Sequence, residues 1–158
     1  MNEVEIWIDA APQQVWALVS DVTRYGEWSP ENRGGRWRDV PGPGAVFKGE
    51  NRHGLMRWST TCTVLDYEAP SVFTFDVAES RMRWGFVLRP ENGGTRVVQW
   101  RRHTGTAPLP IRLIEASGLV GRNRERLMVE GMRRTVMRIK EAAEGETRHA
   151  LSQPPGSA

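Results

Sequence analysis

Cysteine occurs once in the 158 residues, at Cys62, so no disulfide can form within the chain. The three histidines, His53, His103 and His149, show no HxH, HxxxH or Cys/His spacing, so no metal site is expected from them. No phosphate loop, dinucleotide glycine motif or Ser-His-Asp set stands in the sequence, and no cofactor is expected. The apolar runs are only a few residues long, which excludes a membrane span. The N-terminus "MNEVEIWIDA" lacks the basic segment, apolar stretch and cleavage site of an export signal, and the expected location is cytoplasmic.

What is present is ordinary for a soluble globular protein: 39% hydrophobic and 26% charged residues, at a length that suits one domain with one sizeable core. The formal charge is +3. Its basic residues are nearly all arginine and gather in "RNRER" (122–126), "RRH" (101–103) and "MRR" (132–134). Glu125, Glu130 and Glu141 are threaded through the same helical region and no nucleic-acid-binding signature appears. The arginines therefore read as solvated helix surface, with no nucleic acid expected.

The pattern of periods changes twice along the chain. "VEIWID" alternates as a half-buried strand. Asp9 then offers a cap ahead of Pro12, and Val15, Trp16, Leu18 and Val19 fall at helical spacing, with a second turn in "DVTRY". From Gly34 to about Gly105 six strand-like segments follow: "GGRWRDV", "AVFKGENRH", "LMRWSTTCTVLDYE", "SVFTFDVAE", "MRWGFVLRP" and "TRVVQWRRH". Turn material separates them, so they are expected to pair as an antiparallel meander. A long helix is expected over 110–143, with Met128, Met132, Val136, Ile139 and Ala143 as one apolar stripe. Residues 144–158 are small, polar and proline-bearing, and read as a disordered tail. The expected organisation is one domain over 1–143, of the α+β class, its twisted sheet packed on the last helix. A strongly curved sheet cannot touch a cylinder everywhere, so a gap is expected toward one end.

"APQQVWALVSDVTRYGEWSPE", "FKGENRHG" with "RWSTTCTVLDYEAP", "GGTRV" and "EGMRRTVMRIKEAAE" together resemble the START-like, helix-grip superfamily of Bet v 1 proteins and the polyketide cyclase/dehydrase family, over roughly Glu3 to Ala143. The resemblance implies a curved antiparallel sheet around a long C-terminal helix, with short helices after the first strand. It also implies that the loop carrying Trp28 folds inward near a cavity. Trp28 as a plug for the core under that loop is the simpler alternative.

Strand parity assigns the faces. Trp58, Thr60, Cys62 and Val64 share the inward side of one strand, and Phe73, Phe75 and Val77 that of the next, leaving Thr74 and Asp76 outside. Met82, Trp84, Phe86 and Leu88 point inward on a third, and Phe47, Gly49, Asn51 and His53 on a fourth. In the last strand Val98 and Trp100 favour one phase and Val97 and Gln99 the other. Cys62 reads as a small buried hydrophobe rather than a nucleophile. The proposed ligand wall is Trp28, Phe47, Asn51, Trp58, Thr60, Phe73, Phe75, Trp84, Phe86, Trp100, Met128 and Met132. This is an apolar lining with few polar groups, as small-molecule sites have. A dry, empty pocket of about 300 Å³ would cost on the order of 7 kcal/mol. Such a pocket is therefore wet, filled by a ligand, or partly filled by the flexible Met128 and Met132.

His53, Asn51 and Gln99 are the candidates for any acid-base or orienting role, although the place of His53 beside Gly54 at a strand end favours an exposed turn histidine over a catalytic one. The expected function is binding of a hydrophobic or aromatic small molecule, as a cofactor-independent polyketide-type cyclase or dehydratase if it is an enzyme. The alternatives are a lipid or quinone carrier that touches anionic membranes through its arginines, and a chaperone- or ribosome-associated interaction protein. A homodimer is left open.

Overall fold

The computed structural model describes residues 1–105 and 121–152, the side chains of 121–124 excepted. Strand β1 (Asn2–Ile8) is followed by helix α1 (Pro12–Val19), a 3-10 turn (Val22–Arg24) and the short helix α2 (Tyr25–Trp28). The meander is β2 (Asn32–Trp37), β3 (Val46–His53), β4 (Met56–Glu68), β5 (Val72–Val77), β6 (Met82–Glu91) and β7 (Gly94–His103), and the long helix is α3 (Gly121–Ser152). The seven strands form one antiparallel sheet in the order β1-β7-β6-β5-β4-β3-β2. Every neighbour except β1 is also the neighbour in sequence, which is what short turns between alternating strands dictate. β1 closes the far edge by pairing with β7, from Asn2 opposite Arg101 to Ile8 opposite Thr95.

The curved sheet grips α3. The stripe at Met132, Val136, Ile139 and Ala143 is buried, and Met128 is half-buried where the stripe begins. Met132 and Val136 pack on Val4, while Ile139 and Ala143 join the main core with Val15, Leu18, Val19 and Phe73. Polar ties fix the register of helix on strand: Lys140 Nζ donates to the Trp7 carbonyl at 3.0 Å, and Asp9 N donates to Glu144 Oε1 at 3.0 Å.

Three local expectations need correction. Asp9 does not cap α1; Ala11 holds that position, with its N–H donating to Gln14 Oε1 at 3.1 Å, and Pro12 begins the helix. The long helix does not end at Ala143 but runs on to Ser152. Long-range contacts hold this added length: Arg24 reaches Glu146 at 3.2 Å, and Thr147 Oγ1 sits 3.2 Å from Gln14 Oε1. The expected onset at Pro110 and the tail from 153 onward lie outside the described residues. Thr74 stands on the outer side of β5, as its parity places it, and is buried there, its hydroxyl donating to Asp66 beside a bulge in β4.

The third correction concerns β7. Its inward side chains are Val97, Gln99 and Arg101, all buried, and no bulge interrupts its pairing with β6. Trp100, placed in the ligand wall by the sequence reading, therefore stands on the outer face. It lies across Gly85 of β6, where a Cβ would collide with the indole ring. The Arg102 guanidinium lies over that ring, 5.4 Å from its centroid.

Candidate functional site

Pairing registers place the inward side chains in rows across the sheet. Val64, Phe75, Trp84 and Arg101 make one row; Tyr67, Phe73, Phe86, Gln99 and Val4 make the next. Nearer the open end Phe47 stands opposite Cys62, Gly49 opposite Thr60 and Asn51 opposite Trp58. Phe47, Phe73, Phe75, Phe86, Met132 and Trp28 are buried, and Trp84, Asn51 and Thr60 are half-buried. The aromatic part is tightly joined, with Phe47 and Phe75 edge to face at 5.2 Å and Phe73 5.4 Å from Phe75.

Trp28 answers for the loop that carries it. Asp21 Oδ1 accepts from Thr23 N at 3.0 Å and starts the 3-10 turn, and the Tyr25 hydroxyl donates to the Val19 carbonyl at 2.6 Å. These contacts turn the chain back so that Trp28, only 2% exposed, enters the core, with the Arg24 guanidinium 5.2 Å from its ring centroid. Burying that ring stabilises the fold by roughly 3 kcal/mol. Its indole Nε1 has no hydrogen-bond partner among the described residues.

The polar groups on the inner face fall into two sets. At the β2 to β4 side, Asn51 Nδ2 lies 3.3 Å from Thr60 Oγ1, and Asn32 Nδ2 donates to Asn51 Oδ1 at 3.4 Å. Gly49 leaves the space for this cluster: a Cβ there would stand 2.7 Å from Thr60 Oγ1. On β7 and β6, Gln99 is 5% exposed, and its Oε1 accepts no hydrogen bond from any described residue. One residue along the same face, the buried Arg101 guanidinium lies 5.9 Å from the Trp84 ring centroid and 4.0 Å from Glu125 Oε1. The sequence reading missed Arg101 as an inward group. The signal was its parity with Val97 and Gln99, overridden by the ordinary expectation that arginine faces water.

Two residues with inward parity, His53 and Trp58, stand outside the buried wall. The His53 side chain is 76% exposed and pairs with Glu31 at 3.5 Å, so it points away from the interior; the terminal pair of a hairpin has no layer above it to enforce its parity. Trp58 keeps its inward parity but is 38% exposed, at the lip rather than within the wall. Burial pushes the Cys62 thiol up to about 12, against a weak opposing contact from Thr60 Oγ1 at 3.9 Å. It is a protonated core side chain at neutral pH, as its strand position implied. Among the described residues no three His, Cys, Asp or Glu side chains gather as metal ligands.

Two concavities are formed by described residues at the margins of the sheet. One of about 280 Å³ is lined by Arg83, Arg102, His103 and Thr104. The other, about 380 Å³, is lined by Arg33, Glu50, Asn51, Arg52 and Arg57 at the base of the β3–β4 hairpin. No helix among the described residues is long and apolar enough to cross a membrane.

This architecture has known counterparts. The polyketide cyclase-like protein Cgl2372 from Corynebacterium glutamicum is 28% identical, with 97% of this chain and 96% of that one covered at a TM-score of 0.66. TTHA0849 from Thermus thermophilus is 20% identical, with coverage of 96% and 98% and a TM-score of 0.68. The di-domain ARO/CYC protein StfQ of the steffimycin biosynthetic pathway is 11% identical at a TM-score of 0.67; 95% of this chain matches 46% of that one. Among curated proteins no match is found. The family model described as "Polyketide cyclase / dehydrase and lipid transport" matches residues 2–144. With that model matching nearly the whole chain, and the helix-grip fold on which it rests in place, the protein belongs to the polyketide cyclase/dehydrase and lipid transport family.

Proposed function

We propose that the protein binds a hydrophobic or aromatic small molecule on the inner face of the sheet, under α3. The observation that carries this reading is Gln99. A buried amide oxygen without a donor costs about 1–3 kcal/mol, a cost that a ligand hydroxyl or N–H would remove. The wall around it is Trp84 and Phe86 on β6, Phe75 on β5 and Met132 on α3, supplying apolar area, while Arg101 adds a fixed positive charge that favours an electron-rich or anionic group nearby. Met128 and Met132 can change rotamer to accept guests of different width.

Any reaction at this face would proceed by shaping a reactive chain and placing hydrogen bonds, as a cyclase or dehydratase can do without a cofactor. Asn51, Thr60 and Gln99 are the side chains suited to that role. A non-catalytic carrier is the second reading. The outward turn of His53 favours it, because it removes from the wall the one histidine expected there for acid-base work.

The test is native mass spectrometry of freshly purified protein, with extraction of any retained molecule and titration with 1-anilinonaphthalene-8-sulfonate. A retained organic molecule, or saturable probe uptake at one site, is the expected result. Protein that carries nothing and takes up no probe overturns the reading.

A further inference from the structure

The β3–β4 hairpin extends beyond its neighbours. β4 first meets β5 at Cys62 opposite Val77, so Met56 to Thr60 pair with β3 alone. The turn is two residues long, and Gly54 at its first central position has the positive φ, 59°, that such a turn needs. The apex residue Leu55 is 98% exposed and Met56 is 68% exposed, with Trp58 two residues further down at the lip. Folding leaves Leu55 and Met56 largely uncovered, although about 1.5–3 kcal/mol is gained wherever a Leu or Met is buried.

The charge around this tip is mainly basic. Arg52 and Arg57 face each other across the hairpin on its outer side, while Met56 and Trp58 lie on the inner side. Arg33 joins them in lining the notch of about 380 Å³ at the hairpin base. The nearby carboxylates are Glu31, which faces His53 at 3.5 Å, and Glu50, which accepts from Ser59 Oγ at 3.2 Å. From tip to base the order is an apolar apex, then the Arg52–Arg57 pair beside an open notch, then Trp58.

We infer that this hairpin is a docking element for an anionic lipid surface. Leu55 and Met56 enter the acyl boundary, Trp58 sits at headgroup level, and Arg33, Arg52 and Arg57 meet the lipid phosphates, with the notch admitting a headgroup. A narrow two-residue apex is shaped to insert between lipids, whereas a protein partner would call for a broader, flatter apolar patch. The docked edge is also the lip of the inner face, so a ligand dissolved in lipid would pass from bilayer to protein without crossing water.

Co-sedimentation with vesicles decides the matter. The wild type is expected to sediment with vesicles of equal parts phosphatidylcholine and phosphatidylglycerol, to remain free with phosphatidylcholine alone, and to be released by high salt. Leu55→Asp should lower the partition coefficient about tenfold or more. Arg52→Ala and Arg57→Ala should each lower it roughly fivefold. Leu151→Asp, at the far end of α3 and also largely open to solvent, should leave it unchanged. Absence of wild-type sedimentation, or equal sedimentation of wild type and Leu55→Asp, overturns the inference. The assay contains no guest molecule, and uptake of 1-anilinonaphthalene-8-sulfonate by Leu55→Asp should match the wild type. Failure at the hairpin is thereby distinct from failure of the pocket reading.

Discussion

Trp100 covers Gly85 on the outer face of the sheet, while Gln99, one residue earlier, stands opposite Phe86 on the inner face. Adding a methyl group beneath the Trp100 ring forces ring or strand to move. Gly85→Ala is expected to destabilise the protein by about 1–3 kcal/mol in urea unfolding. Trp100→Ala should leave probe affinity at the inner face unchanged. A large loss of affinity in that variant would place the ligand on the wrong side of the sheet.

Gln99 makes opposite demands on stability and binding. Replacing it with leucine removes a buried oxygen that no described residue satisfies, so Gln99→Leu is expected to raise stability by about 1 kcal/mol in the ligand-free protein. The same change should weaken a guest that donates to that oxygen by roughly tenfold. Thermal unfolding read beside a binding titration separates the two. A variant that loses stability and keeps its affinity would show that Gln99 serves the fold alone.

Cys62 should resist alkylation. Because burial raises its thiol to about 12, iodoacetamide at pH 8 should modify the native protein far more slowly than the urea-unfolded chain. The sign of the linkage is fixed by the raised value. The thiol's contribution is fully present below the ordinary thiol pKa and is lost as pH rises from there toward about 12. Cys62→Ala should flatten that alkaline limb of the stability profile.

Glu144 acts at the other end of the pH scale. The Lys140 ammonium beside it, the Asp9 N–H and nearby positive charge hold its carboxyl below the usual carboxylate range, outweighing its slight burial. Its contribution is therefore present above the ordinary carboxylate pKa and is lost as pH falls through the depressed value. Glu144→Gln should cost about 0.5–1 kcal/mol at neutral pH and less in acid, read from urea unfolding at both pH values.

Periodicity and the turn residues between segments locate the seven strands, and parity locates the inner face where the residues alternate cleanly, as at Phe73, Phe75, Trp84 and Phe86. It did not decide β7, because Val97, Val98, Gln99 and Trp100 suit both faces; pairing with β6 on one side and β1 on the other selects the phase. Parity alone puts His53 on the inner side and its place beside Gly54 puts it in water; the second holds, because parity carries no weight at a hairpin end with nothing packed above it. The last turns of α3 depend on contacts that join Arg24 to Glu146 and Gln14 to Thr147, more than a hundred residues apart in sequence, and "GETRHALS" by itself shows no apolar stripe. Arg101 was legible only once the phase of β7 was known.

The most direct measurement is a ¹H–¹⁵N spectrum of the assigned tryptophan indole N–H groups, recorded while 1-anilinonaphthalene-8-sulfonate is titrated in. Guest binding beneath α3 predicts that the Trp28 and Trp84 signals move together and saturate, with Trp100 and Trp7 on the outer face unmoved. Saturating shifts at Trp100 and Trp7, with Trp28 and Trp84 stationary, would contradict the account.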